Sequence, residues 1–254
     1  MGIFSGKAVA KAQEALQENL GLAIIRHDVK AVKAALESGA SPDRPAISDA
    51  KAPLPLSTAI IKYSEFYGDE GKASEAKDSF EIIETLVEAK ANPIQDLNGL
   101  IRPVDCAARL GLFNVVALFN RGTPALPSQD ALDQGLQRAI NNQDPDAIKF
   151  ALAAGANPDK PGALLDGSLT LPLNKAIKKH HQLQGDAESL KRSFRVIEAL
   201  VEAGVNPQQE IKGHISPTDC AARLGLLDIV ELFERAGRAR RKMPPTHIAP
   251  VIMS

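Results

Sequence analysis

The residues of this chain with chemistry to offer are few. They are two adjacent histidines, His180 and His181, two cysteines, Cys106 and Cys220, and a recurring scatter of Lys, Arg and Asp. Paired histidines suit metal binding or proton transfer. Neighbours on a helix, however, point about 100° apart, and no cysteine lies nearby to complete a zinc site. The chain contains no phosphate-binding glycine loop, no Gly-x-Ser-x-Gly elbow and no His-Glu-x-x-His pair. The expectation is therefore a non-enzyme with no metal and no cofactor, whose chemistry is recognition. Cations would meet an acidic surface. Tyr63, Phe66 and Tyr67 cluster in a protein that is only 4% aromatic, and would either anchor a partner or pack on an adjacent helix.

What positions these residues is a duplication. Shifted by 114 to 117 residues, the chain matches itself along most of its length. Leu20–Pro45 against Leu136–Pro161 gives 13 identities in 26 positions, and Pro103–Phe119 against Pro217–Phe233 gives 12 in 17. Both cysteines sit in the same octapeptide, DCAARLGL, at Asp105–Leu112 and Asp219–Leu226. Inside each half runs a shorter period marked by a small residue at Ala23, Ala59, Ala107, Ala139, Ala176 and Ala221, with spacings of 36, 48, 32, 37 and 45. After each marker comes an apolar stripe at i, i+3, i+4 and i+7, the signature of one buried helix face. Gly39, Gly155 and Gly204 are placed to end those second helices in the left-handed conformation, with Pro shortly after. Each unit therefore reads as helix, turn, helix, extended loop. The longest spacings are expected to come from insertions between the two helices of repeats two and five, at 63–77 and 180–191.

These motifs resemble the ankyrin repeat. PVDCAARLGLFNVVALF (Pro103–Phe119) and PTDCAARLGLLDIVELF (Pro217–Phe233) carry the resemblance best, and LPLSTAI (Leu54–Ile60) and LPLNKAI (Leu171–Ile177) keep its Pro-Leu helix start. It implies an all-α, ankyrin-type helix-turn-helix solenoid of six repeats over about residues 20–237. An N-terminal capping helix would occupy 1–19, burying Ala8, Val9, Ala12, Ala15 and Leu16. Repeats one to three would fill 20–126, repeats four to six 127–237, and a disordered basic tail 238–254. The family's Thr before Pro is replaced by Leu54, Arg102, Leu171 and Ser216, and its His by Ser57, Asp105, Asn174 and Asp219. Because those groups tie neighbouring repeats together, a looser stack is expected. With the cysteines three repeats apart and helices spaced ~8–10 Å, they would be too far apart for a disulfide and remain reduced core residues.

The resemblance also implies where a partner binds. First helices and loop tips line the contact face, which puts Ile25 and Arg26, Arg109 and Leu110, Asn141 and Asn142, Lys178 and Lys179, and Arg223 and Leu224 on it. Cations recur there, so the expected partner is a protein with an acidic surface. The alternative for Arg109 and Arg223 is pairing with acids of the next repeat. A net charge of −1 argues against a general nucleic-acid binder. The basic run Arg238, Arg240, Arg241 and Lys242 reads as a solvated end. No 18-residue apolar run is present, the first 20 residues lack a signal-peptide core, and Gly6 stands where a myristoylation pattern needs Ser or Thr. A monomeric cytoplasmic adaptor or inhibitor is the leading expectation. A bacterial effector acting on a host protein, and an enzyme with a site in the groove, are the alternatives.

Overall fold

Each marker alanine heads a helix pair. In the computed structural model, which describes residues 3–47, 52–97, 99–121, 125–163, 169–183, 186–210 and 215–242, six such pairs follow in order. They are α1 (Ile3–Ile25) with α2 (Val29–Glu37), α3 (Pro55–Ser64) with α4 (Ala73–Glu88), and α5 (Pro103–Arg109) with α6 (Phe113–Phe119). Then come α7 (Gln129–Asn142) with α8 (Pro145–Ala153), α9 (Pro172–Gln182) with α10 (Ala187–Glu202), and α11 (Pro217–Arg223) with α12 (Leu227–Lys242). All six marker alanines are buried, as a residue with only a methyl group must be where two helices approach closely. Gly39, Gly155 and Gly204 take φ of +98°, +99° and +92° and end α2, α8 and α10 as expected.

The chain divides into two compact units, Met1–Arg138 with Ala154–Ala156, and Ala139–Ala153 with Asn157–Ser254. In the first, the first helices α1, α3 and α5 form one layer and the second helices α2, α4 and α6 the other. Their core holds Leu20, Ile24, Leu56, Ile60, Ile82, Leu86 and Phe113, all nearly or fully inaccessible. In the second, α9 lies beside α11, and α10 lies between α8 and α12, around Leu173, Ile177, Ile197, Leu200 and Ile229. A two-residue antiparallel pair, β1 (Gly162–Ala163) with β2 (Leu169–Thr170), closes the base of the loop before α9.

Several boundaries differ from the sequence reading. The expected capping helix is not separate: α1 runs unbroken from Ile3 to Ile25 because no Pro or cap residue interrupts it. Nor does it bury the alanine stripe, since Ala8, Val9, Ala12 and Ala15 are exposed. Gln17 turns inward instead, its amide donating to the Ser41 and Arg44 carbonyls and its Oε1 accepting from Ser41 N–H, while Gln13 reaches the Gly39 carbonyl at 2.8 Å. Gln129 of α7 makes the equivalent bond to the Gly155 carbonyl at 2.9 Å. The upstream part of α1 is thus the long first helix of repeat one, matched by α7 in repeat four.

Residues 238–242, assigned to a tail, belong to α12, where the i,i+4 pairs Glu231–Arg235 and Glu234–Arg238 favour helix; residues 243–254 lie outside the described residues. The insertions at 63–77 and 180–191 are partly helical. Helices α3 and α9 run into their starts and α4 and α10 begin within them, with a turn and a short 3-10 helix (Glu70–Lys72) between α3 and α4. Both α4 and α10 reach 16 residues where α6 has 7.

Two of the four positions that lack the family's His still bond the next repeat. Asp105 accepts the Ser128 N–H at 2.6 Å and two bonds from the Arg102 guanidinium, at 2.7 and 3.1 Å. Burial pushes its carboxyl up, but those donors outweigh burial and hold it below the ordinary carboxylate value. Asn174 donates to the Ile215 carbonyl at 2.9 Å. The tie survives with different chemistry.

Candidate functional site

Pro55, Pro103, Pro172 and Pro217 open their helices at the first turn, where the lost N–H costs nothing, and each follows a residue in extended conformation. That common start fixes which side chains reach the far end of each first helix. In the first unit, Arg26 is exposed beside Ile25. Arg109 is half-buried, and its Nη2 meets the Asp130 carboxylate on α7 at 3.2 Å. Lys62 pairs with Glu65 at 3.0 Å. Much of the rest of this face is apolar: Ile25, Ile61 and Ile101 are exposed, and Ile61 and Ile101 border a hollow of about 200 Å³ with Leu54, Leu100 and Cys106.

In the second unit the same positions carry charge. Asn141 and Asn142 are exposed at the end of α7, as are Lys178 on α9 and Arg223 on α11, whereas Leu224 is half-buried. The half-buried Lys179 Nζ donates to the Asn141 carbonyl. Lys175, one turn earlier on α9, was not singled out by the sequence reading. It lies at i, i+4 from Lys179, a spacing that puts both on one face. Burial pulls the ammonium groups of Lys175 and Lys179 below the ordinary lysine value, and at Lys175 the charge of Lys179 adds to the effect. Lys178 on α9 and Arg223 on α11 stand on helices packed against each other, and both charges favour the Cys220 thiolate against burial. The pairing expected for Arg109 is present; Arg223 has no carboxylate partner among the described residues.

The aromatic cluster packs inward. Tyr63 is buried, its hydroxyl accepts from Asn114 Nδ2 at 2.8 Å, and its ring meets Tyr67 and Phe80, each at 5.4 Å. Phe66 is half-buried, edge-on to His27 at 4.8 Å, with Lys72 over its face. Of the paired histidines, His180 is buried against Phe194 at 6.2 Å. Burial pulls its imidazole below the ordinary histidine value against the opposing pull of Asp228. Cys106 and Cys220 are free, and burial pushes both thiols up, Cys106 to about 11, leaving them poor nucleophiles.

No protein-family model and no curated protein matches the chain. Solved structures do. An ankyrin repeat domain from Acinetobacter baumannii AYE is 18% identical over 86% of this chain and 97% of its own, with a TM-score of 0.58. The ankyrin repeat protein EF0377 is 17% identical over 85% and 96%, at 0.55. The ankyrin repeat domain of Bcl-3, a member of the IkappaB family, is 19% identical over 86% of each chain, at 0.53. Taken with the six helix pairs and their buried marker alanines, these likenesses give this chain the ankyrin-repeat fold.

Proposed function

We propose that this chain is a protein-interaction module, an adaptor or inhibitor that grips a partner through the ends of its first helices and its loop tips and performs no chemistry of its own. The reading includes no cofactor, and its setting is the cytoplasm; no described helix is long and apolar enough to cross a membrane. The observation that carries it is the recurrence of exposed cations at the second or third residue after the marker alanine, Arg26, Lys178 and Arg223, on helices whose opposite faces are buried. That recurrence favours an acidic partner surface. In the second unit Asn142 and Lys179 belong to the same set of positions; in the first, Arg109 is paired with Asp130, and Phe66 and Tyr67, backed by the buried Tyr63, form a rim that supports the end of α3.

The test is chemical cross-linking of the full chain in lysate of its source cells, comparing wild type with an Arg26→Glu, Arg109→Glu, Arg223→Glu variant of unchanged circular dichroism. A single partner captured in near-equal amount, cross-linked to first-helix residues and lost in the variant, is expected. A partner retained undiminished by the variant would move the contact away from the first helices and sink this reading.

A further inference from the structure

The duplication supplies an internal control for the first-helix face, because every cation of the second unit has a counterpart in the first. Lys175 stands where repeat two has Thr58, and Lys178 where it has Ile61. Lys179 matches Lys62, but Lys62 is neutralised by Glu65, and the residue matching Glu65 is Gln182. Arg223 matches Arg109, which Asp130 neutralises. The two halves have thus diverged in one direction at four places: lysines gained at two, a compensating carboxylate missing at two. Among the described residues no carboxylate pairs with Lys178, Lys179 or Arg223.

We propose that the acidic contact is made by the second unit alone, where Lys175, Lys178, Lys179 and Arg223 seat a carboxylate-rich, extended segment of a partner protein. This rests on the interaction-module reading and names the chemistry of its partner. Four cations on two adjacent helices match a short run of Asp or Glu. Lys178, Lys179 and Arg223 meet no carboxylate among the described residues; crowding like charges is unfavourable, and an acidic segment relieves it. Asn141 and Asn142 add neutral donors and acceptors at the edge of the same face. A nucleic acid is the weaker occupant, since its affinity grows with the number of phosphates neutralised and the whole chain carries a net charge of −1.

The probe is a fluorescein-labelled peptide of ten glutamates, titrated with the full chain at low and moderate salt and read by anisotropy. The peptide is expected to bind wild type and to weaken as salt rises. Lys178→Glu with Arg223→Glu should reduce affinity at least tenfold, and Lys62→Glu, at the first-unit counterpart of Lys179, less than twofold. Gln182→Glu restores the carboxylate of repeat two without removing any cation, and should weaken binding several-fold with the fold intact. Equal losses from Lys62→Glu and from the double variant, no effect of Gln182→Glu, or tighter binding of a ten-nucleotide uridine RNA than of the peptide would each overturn the proposal. The peptide titration reads the second-unit contact and cross-linking in lysate reads the broader role, so either can fail while the other stands.

Discussion

Repeats two and five descend from one ancestor, and the same two contacts have been rebuilt in them with different chemistry. In repeat two, Tyr63 reaches Asn114 through its hydroxyl and lies against Phe80. In repeat five, His180 holds the position of Tyr63, Asp228 that of Asn114 and Phe194 that of Phe80. The first set is neutral and satisfied. The second is ionisable, and His180 Nδ1 has no hydrogen-bond partner among the described residues. Nearby, Ser79 shares a 2.8 Å hydrogen bond with His27, whereas its counterpart Ser193 is fully buried with none. At these positions repeat two is tied by its polar groups, and repeat five, among the described residues, is packed without those bonds. Where α3 carries one lysine, α9 carries three and two histidines. The difference is what divergence looks like when one copy keeps a structural role and the other is freed to change its surface.

The sharpest way to break the comparison is to remove the ring that repeat two depends on. Tyr63→Ala empties a site lined by Phe80 and Tyr67, and should cost about 3–5 kcal/mol, the usual range for a buried aromatic, read by urea unfolding. The two repeats should also fail at opposite ends of the pH scale. Burial pulls the His180 imidazole below the ordinary 6.5. The unfolded chain therefore takes up that proton first, and stability falls as pH drops through 6.5 towards the lower folded value. Burial raises the Tyr63 phenol above 10, so its contribution is lost as pH climbs past 10. His180→Tyr should flatten the acid limb of melting temperature against pH. Tyr63→Phe should flatten only the part of the alkaline limb above 10, since the buried thiols of Cys106 and Cys220, also raised, remain. An acid limb unchanged in His180→Tyr would show that the histidine is not the titrating group.

The repeat frame was legible in the sequence because its determinants are local. An alanine where helices touch, a Pro at the first turn and a Gly at positive φ can each be read without knowing a neighbour. Pairing across repeats was less legible. Asp130 as the partner of Arg109 followed from the general rule that adjacent repeats exchange charges, but nothing in the octapeptide singles out Ser128 for Asp105. The anchoring glutamines Gln13 and Gln17 were missed because an amide on a polar helix looks like a solvated residue, and the alanines beside them looked like the buried face. The signal that would have found Gln13 was Gln129, its counterpart in the second half; the counterpart of Gln17 is Asp133. Lys175 was missed for a related reason: the expected contact positions were taken only from the two residues after the marker pair, one turn too late.

A smaller contrast lies where the second helices end. Gly204 closes α10 at φ +92°, while its counterpart in repeat two is Lys90, forced to φ +67°. A residue with a Cβ is strained there. Lys90→Gly should raise stability by about 1 kcal/mol, and Gly204→Ala should lower it by a similar amount, both read from denaturation midpoints. If Lys90→Gly destabilises instead, the Lys90 side chain contributes more than its backbone strain costs.

The smallest expected effect is the most specific to the comparison. Ser79→Ala breaks the bond to His27 Nδ1 and should cost about 1 kcal/mol, the net worth of one such bond plus a part-buried ring nitrogen left unpaired. Ser193→Ala removes a fully buried hydroxyl with no hydrogen-bond partner among the described residues, and a buried polar group without a partner is itself a penalty. The same substitution at the matching position should therefore be neutral or slightly stabilising in repeat five. A loss at Ser193 equal to that at Ser79 would mean that the hydroxyl has found a bond after all; Gln143, whose Oε1 has no partner among the described residues, holds the position of His27 in the repeat frame. Gln143 shares with His27 the left-handed backbone, φ 54° against 57°, so both copies still present a polar side chain from the same unusual turn. The Ser79 bond would then be an inherited feature that repeat five keeps in weakened form, and the difference between the copies would lie in their surfaces alone.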